Sequence, residues 1–162
     1  MKDTLITPSE VIAAAFRPSD FVREASVSRS DILAAEQKFI APVLGGVYKA
    51  LQEGLYPDLL SEYIEMPLAL YVKAQIMPRL WMQSSDAGVV QIKTEVLNPA
   101  TEAQMRELTR GILRQAGTLM RRAVRHIESS PELYPEYDAR ENAMNRCSTI
   151  GGIIITDDGA DI

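Results

Sequence analysis

His126 and Cys147 are the side chains best suited to acid-base, nucleophilic or metal chemistry, and each is the only residue of its type in the chain. A single histidine cannot supply a His-His metal pair, and a single cysteine excludes an intrachain disulfide and a Cys-x-x-Cys redox pair. We expect His126 at the surface near the carboxyl end of a helix, where its cationic form is favoured. Cys147 is expected to be a packed or idle thiol.

Three carboxylates form the next candidate group, because Asp58, Glu62 and Glu65 recur at helical spacing. Such a group could bind a metal ion or transfer protons. Acidic residues near a helix amino end are explained more simply, because they stabilise the helix macrodipole. Gly151-Gly152 precedes three isoleucines but lacks the further glycines and the helix of a phosphate-binding loop. We therefore predict no catalytic, cofactor-binding or metal-binding residue, no cofactor and no enzymatic activity.

Helix signals dominate the first half of the chain. Thr7-Pro8-Ser9-Glu10 has the spacing of a capping box and predicts a helix over about residues 8–16. Ser28 and Asp31 repeat that spacing before a second helix, which Gly45 and Gly46 should end in left-handed geometry.

A third helix is predicted over residues 47–54, with Gly54 as its stop. The apolar density then rises over residues 58–82, which indicates a central helix. Pro67 must either kink this helix or begin a new segment, and Pro78 poses the same problem, because proline lacks an amide hydrogen and clashes with the preceding turn.

The second half predicts one long helix between two short extended segments. Asn98-Pro99 is expected to cap that helix, which should run to about Ser130. Residues 89–96 are expected to be a strand or a loop, and residues 150–155 a short strand without an evident hairpin partner. The fold class is thus mainly α, a compact bundle of about five helices. Residues 1–150 form the domain, and residues 151–162 a strand or a flexible acidic tail.

The long helix carries a cationic stripe opposite an apolar face, which comprises Met105, Leu108, Ile112, Ala116, Leu119, Ala123 and Ile127. Between residues 99 and 129, six arginines face three glutamates, while the rest of the chain has eleven basic and nineteen acidic residues. Two interpretations stay open: a solvated face behind a core face, or a contact for an acidic subunit or for nucleic-acid phosphates. The candidate contact residues are Arg106, Arg110, Arg114, Arg121 and Arg125. An apolar strand near a chain end can pair with another subunit, so assembly contacts are also expected at Gly151, Gly152, Ile153, Ile154 and Ile155.

The composition predicts one ordinary domain. The 162 residues are 46% apolar, enough to bury a core without metals or disulfides. No stretch approaches the roughly 18 apolar residues of a membrane span, and the amino terminus lacks a secretion signal. We therefore expect a protein made in the cytoplasm, with no membrane partner. The net charge of −5 argues against nucleic-acid binding by the surface as a whole.

The order of these segments resembles the small helical head-tail connector proteins of tailed phages, in particular versions from phages and prophages of Bacteroides-type bacteria. The resemblance covers about 60% of the chain, roughly Ile32 to Ile127. It rests on AEQKFIAPVLGGVYKAL, PDLLSEYIEMPLALYVKAQIMPRL and SSDAGVV, followed by the Arg-rich helix. Within these segments the matching positions are Leu44-Gly45, Tyr48, Leu51, Leu59-Leu60, Ala69 to Tyr71, Pro78 and Gly88.

The resemblance implies a non-enzymatic virion assembly protein. Such an adaptor forms a ring on the portal protein, receives a tail-completion protein and surrounds the genome DNA without reading its sequence. The expected location is then the head-tail junction of the virion. The alternative is a host interaction or regulatory module that binds nucleic acid or an acidic partner through the arginine stripe.

Overall fold

The computed structural model describes residues 3–20, 22–85, 88–91, 101–150 and 153–156. The protein is mainly helical, as the sequence predicts. Helix α1 spans Pro8–Ala15. Short 3-10 turns follow at Pro18–Asp20 and Glu24–Ser26. The predicted cap of α1 is confirmed, because Thr7 and Glu10 form a reciprocal capping box.

The second predicted helix is an α-helix interrupted by a π turn. Helix α2 (Arg29–Ala35) begins with a capping box between Ser28 and Asp31 and continues into the π turn Glu36–Ile40. Helix α3 (Ala41–Leu44) follows directly and ends at Gly45.

Gly45 has a positive φ of 54°, as the sequence predicts for the joint. The same prediction for Gly46 is wrong, because Gly46 already belongs to helix α4 (Gly46–Gln52). A side chain at Gly46 would collide with the backbone carbonyl of Glu136. Gly46 is therefore needed for a close approach of two chain segments.

A second π turn directly precedes the central helix. Helix α5 (Pro57–Leu59) leads into the π turn Leu60–Ile64 and then into helix α6 (Glu65–Trp81). Pro67 lies three residues after this turn, just as Pro42 lies two residues after the first one. A proline ring clashes with the carbonyl four residues earlier, and that carbonyl lies within the π turn in both cases. The wider turn lets the chain remain helical through each proline.

Helix α6 is the centre of the molecule, packing against α1, α2 and the long helix α7 (Glu102–Ser129). It runs through Pro78 without a break. Its fully buried side chains include Leu68, Val72 and Ile76. This confirms the prediction of a central helix that is apolar on most sides.

Helix α7 begins later than predicted, with Thr101 rather than Asn98 as its cap. Thr101 forms a capping box with Gln104. Residues 92–100, which include Asn98-Pro99 and most of the segment expected to be extended, lie outside the described residues. The predicted end of the helix is confirmed at Ser129.

Two antiparallel hairpins complete the described chain. Strand β1 (Met82–Ser85) pairs with β2 (Gly88–Gln91), and Met82 lies opposite Gln91. After a short helix α8 (Ala143–Arg146), strand β3 (Cys147–Ile150) pairs with β4 (Ile153–Thr156). The expectation that the isoleucine strand has no hairpin partner is wrong, because β3 is that partner.

Candidate assembly surfaces

Helix α7 presents all five candidate arginines to solvent. In its amino-terminal half the nearest partners of these arginines are glutamates of the same helix. Arg106 pairs with Glu102, and Arg114 donates to Glu107 at 2.8 Å. Arg110 lies 3.9 Å from the same Glu107 carboxylate. Exposed pairs of this kind are worth a few tenths of a kcal/mol, so the arginines remain available to another partner.

The amino-terminal half of α7 extends beyond the core. The ten residues Glu102–Gly111 include no buried residue, and Leu108 is 50% exposed. The first buried side chain of the helix is Ile112. An open groove runs along this half, lined by Leu108, Gly111 and Arg114 among others. We call Leu108, Gly111 and Arg114, which all line this groove, the α7 patch.

The apolar face predicted for α7 is buried from Ile112 onwards, apart from the partly buried Leu119, and is not buried at Met105 and Leu108. Ala116, Ala123 and Ile127 are fully buried as predicted. Leu108 is exposed, while Met120 and Val124, which lie outside the predicted apolar face, are buried. The sequence shows a helix that is amphipathic throughout, but it does not show where the neighbouring helices end.

His126 lies in an aromatic cluster at the carboxyl end of α7. Its ring stacks on Tyr63 with centroids 4.2 Å apart and an interplanar angle of 13°. Its Nε2 atom is 3.3 Å from the hydroxyl oxygen of Tyr134. The guanidinium of Arg122 lies 4.8 Å from the centre of the Tyr63 ring. His126 is thus half-buried and packed, where the sequence predicts a surface residue.

Tyr134 joins this cluster to the segment that follows α7. Its buried ring meets Tyr56 edge to face at 5.0 Å, and the Tyr56 hydroxyl donates to Glu136 at 2.8 Å. Burial raises the pKa of Tyr134, and the nearby Tyr63, Asp58 and Glu62 raise it further. The segment after α7 is therefore held against α4, where Glu136 approaches Gly46, and beside the second π turn.

This packing brings two acidic segments together at one end of the molecule, which we call the acidic end. We use this name for residues 53–65 and 132–141, which together hold eight carboxylates and one arginine. Leu55 and Leu133 precede the paired tyrosines Tyr56 and Tyr134 and are 49% and 63% exposed. The sequence interpretation of Asp58, Glu62 and Glu65 as helix-end acids misses this surface, because half of it comes from the distant segment after α7.

Glu36 is the buried charged residue that sequence reasoning missed. Its side chain is fully buried and accepts hydrogen bonds from the Leu5 backbone amide at 2.7 Å and from the Tyr48 hydroxyl at 2.9 Å. Gln37 and Gln52 donate in turn to the Tyr48 oxygen. Burial raises the pKa of Glu36. This network joins the chain start to α4 and to the first π turn, which is a structural role.

The predicted contacts near the carboxyl terminus are only partly described. Ile153, Ile154 and Ile155 lie in strand β4, and Cys147 begins strand β3. Gly151 and Gly152 lie outside the described residues. In the described part of the chain, no three His, Cys, Asp or Glu side chains are grouped to hold a metal ion. No described helix has the length and hydropathy needed to cross a membrane.

A family model matches residues 22–147, which covers both the α7 patch and the acidic end. The description of that family is "Family of unknown function (DUF6712)". No curated protein and no solved structure shows a significant match to the chain. Because the family model spans more than half of the sequence, the protein belongs to the DUF6712 family.

Proposed function

We propose that this protein is a non-enzymatic structural subunit of a phage or prophage head-tail connector. In this role it assembles as a ring on the portal protein and receives a tail-completion protein. The genome DNA passes through the ring without sequence-specific contacts. The sequence resemblance described above supports this assignment, and the exposed surfaces of the helical fold are consistent with it.

The observation that carries the proposal is the extension of α7 beyond the core. Ten consecutive helical residues without a buried side chain are marginally stable in isolation, because packing supplies most helix stability. A partner that packs against this half would stabilise it. A building block that joins neighbours on several sides needs such protruding elements.

A groove beside the chain start contains acidic side chains with structural roles. The groove beside the chain start has a volume of about 440 Å³ and includes Asp3, Glu10 and Glu65 in its lining. Glu10 is engaged in the cap of α1, and Asp3 forms an ion pair with Arg29 at 3.3 Å. Asp3 and Glu10 thus have structural partners, which is consistent with a non-enzymatic role.

The direct test is reconstitution with the portal protein encoded in the same genome region. Electron microscopy of the mixture should show an additional ring layer on the portal, and the layer should be absent with a portal from an unrelated phage. Absence of any complex with the cognate portal, at concentrations where both proteins remain folded, would overturn the proposal.

The second candidate is a host interaction or regulatory module that binds nucleic acid through α7. The exposure of all five candidate arginines favours it. It predicts binding of DNA or RNA that weakens steeply with salt and is lost in the triple variant R110A/R114A/R121A. A matched control is R17A/R23A/R140A, which removes the same charge elsewhere on the surface. Absence of binding at low ionic strength excludes this candidate.

A further inference from the structure

We propose that the α7 patch of one copy docks on the acidic end of a second copy, in a head-to-tail contact. The inference rests on the proposed function in that it names the subunit contact of the ring. Two observations support it: both surfaces have exposed leucines, and the segments that carry these leucines have opposite net charge.

Exposed leucines mark both surfaces. Leu108 of the α7 patch is 50% exposed, and Leu55 and Leu133 of the acidic end are 49% and 63% exposed. Only two other large apolar side chains of the described residues, Leu33 and Met66, are comparably exposed. Single exposed leucines are ordinary, but Leu55 and Leu133 each adjoin in sequence one of the two tyrosines whose rings pack on each other, and exposed apolar side chains near one another are typical of contact sites.

The two segments that carry these leucines have net charges of opposite sign. Residues 102–115 of α7 carry three arginines against two glutamates, and Glu107 is shared by Arg110 and Arg114. The acidic end carries eight carboxylates against one arginine. Opposite charges at the rim steer two surfaces together and fix their register, while the apolar centre contributes to affinity.

The α7 patch and the acidic end of the same chain are too far apart to contact each other. Leu108 and His126 are eighteen residues apart on the same helix, about 27 Å along its axis, and the acidic end adjoins His126. A contact between different surfaces of two identical chains is heterologous, and its repetition generates rings or helical filaments. An α7-to-α7 contact, by contrast, would juxtapose like charges.

The test uses two single variants, L108D and L133D, with L33D as the matched control. All three place a carboxylate at an exposed leucine, so each is expected to remain folded by circular dichroism. In sedimentation velocity at low salt and high protein concentration, wild type and L33D should form species larger than monomers. L108D and L133D alone should each remain monomeric.

Mixing the two variants separates the head-to-tail contact from symmetric ones. L108D retains an intact acidic end, and L133D retains an intact α7 patch, so the mixture should form 1:1 dimers and nothing larger. In a background lacking the native thiol (C147S), L108C and L133C chains should form a mixed disulfide upon oxidation. L108C and L33C chains should not.

Three outcomes would overturn the inference: a wild type that stays monomeric without a mixed L108C–L133C disulfide, an L133D variant that assembles like wild type, or a mixture that stays monomeric. Failure of this subunit contact can be distinguished from failure of the proposed connector function. A ring layer on the portal that tolerates L108D and L133D would contradict only the contact. Head-to-tail assembly without portal binding would contradict only the connector assignment.

Discussion

The Tyr48 hydroxyl donates to the Glu36 carboxyl group at 2.9 Å, in the interior of the protein. Among the described residues, no lysine or arginine forms an ion pair with Glu36. Two hydrogen bonds, from Tyr48 and from the Leu5 amide, therefore take the place of a countercharge. The start of the chain is thereby held against the first π turn by a single carboxyl group.

Removal of that group should strongly destabilise the protein. Glu36→Ala leaves a small cavity and two buried donors without an acceptor, so we expect a loss of about 2–4 kcal/mol in the free energy of unfolding. Glu36→Gln keeps the volume and one acceptor and should lose less. Urea denaturation measures both. A Glu36→Ala variant as stable as wild type would show that the network contributes nothing.

The raised pKa of Glu36 also predicts a pH dependence. Between the ordinary glutamate value and the raised folded value, the folded state binds more protons than the unfolded state. Stability should therefore fall as pH rises through this window, and Glu36→Gln should remove that part of the slope. Denaturation midpoints measured from pH 4.5 upward for the two proteins provide the comparison. Parallel slopes would contradict the prediction.

Asp31 predicts the opposite behaviour at lower pH. Hydrogen bonds from the Arg79 guanidinium, with smaller contributions from Ser28, outweigh the effect of burial and lower the pKa of Asp31 to about 2. The resulting stability is present above the unfolded value of 3.8 and is lost as pH falls towards 2. We expect about 1–2 kcal/mol, because Arg79 is partly exposed and screened. Asp31→Asn should flatten the acid limb of a thermal-unfolding series, and an unchanged limb would contradict this.

Gly46 and Gly111 provide a matched pair of helical glycines. Gly46→Ala would drive a methyl group into the Glu136 carbonyl and should cost roughly 1–3 kcal/mol or displace the segment after α7. Gly111 has no neighbour near the corresponding position, so Gly111→Ala should stabilise the protein by about 0.5–1 kcal/mol. Thermal unfolding compares the two. Equal effects would show that the Gly46 contact is unimportant.

The stack between Tyr63 and His126 should hold the segment after α7 in place. Tyr63→Leu removes the stack and the Arg122 contact, and we expect a loss of about 1–2 kcal/mol. Tyr63→Phe keeps the ring and is the control. Hydrogen exchange of residues 130–142 should accelerate in Tyr63→Leu and remain at the wild-type rate in Tyr63→Phe. Unchanged protection in both variants would contradict the role.

Local signals in the sequence predict the helices well, because caps and glycine stops act over a few residues. The capping boxes at Thr7 and Ser28 and the stop at Gly54 are examples. The π turns were not predicted, although the prolines that follow them, Pro42 and Pro67, are visible. A proline indicates that a helix must adjust, but not whether it will break, kink or widen.

The candidate surfaces were predicted less completely, because they depend on contacts between distant segments. The arginine stripe is visible as a helical period, and the structure confirms that its residues are exposed. The acidic end joins Asp58 and Glu136, which are far apart in the sequence, through the Tyr56–Tyr134 contact. The burial of Glu36 has no local signal, because its partner Leu5 lies 31 residues away.

The close approach at Gly46 constrains the order in which the protein can fold during synthesis. Gly46 emerges from the ribosome long before Glu136, whose backbone packs against it. Until Tyr134 and Glu136 have been translated, Tyr56 lacks its contacts with the segment after α7, and the nascent chain exposes an aromatic ring that the mature protein partly covers. Closure of this last segment is therefore a late folding event, after which the acidic end exists for the first time.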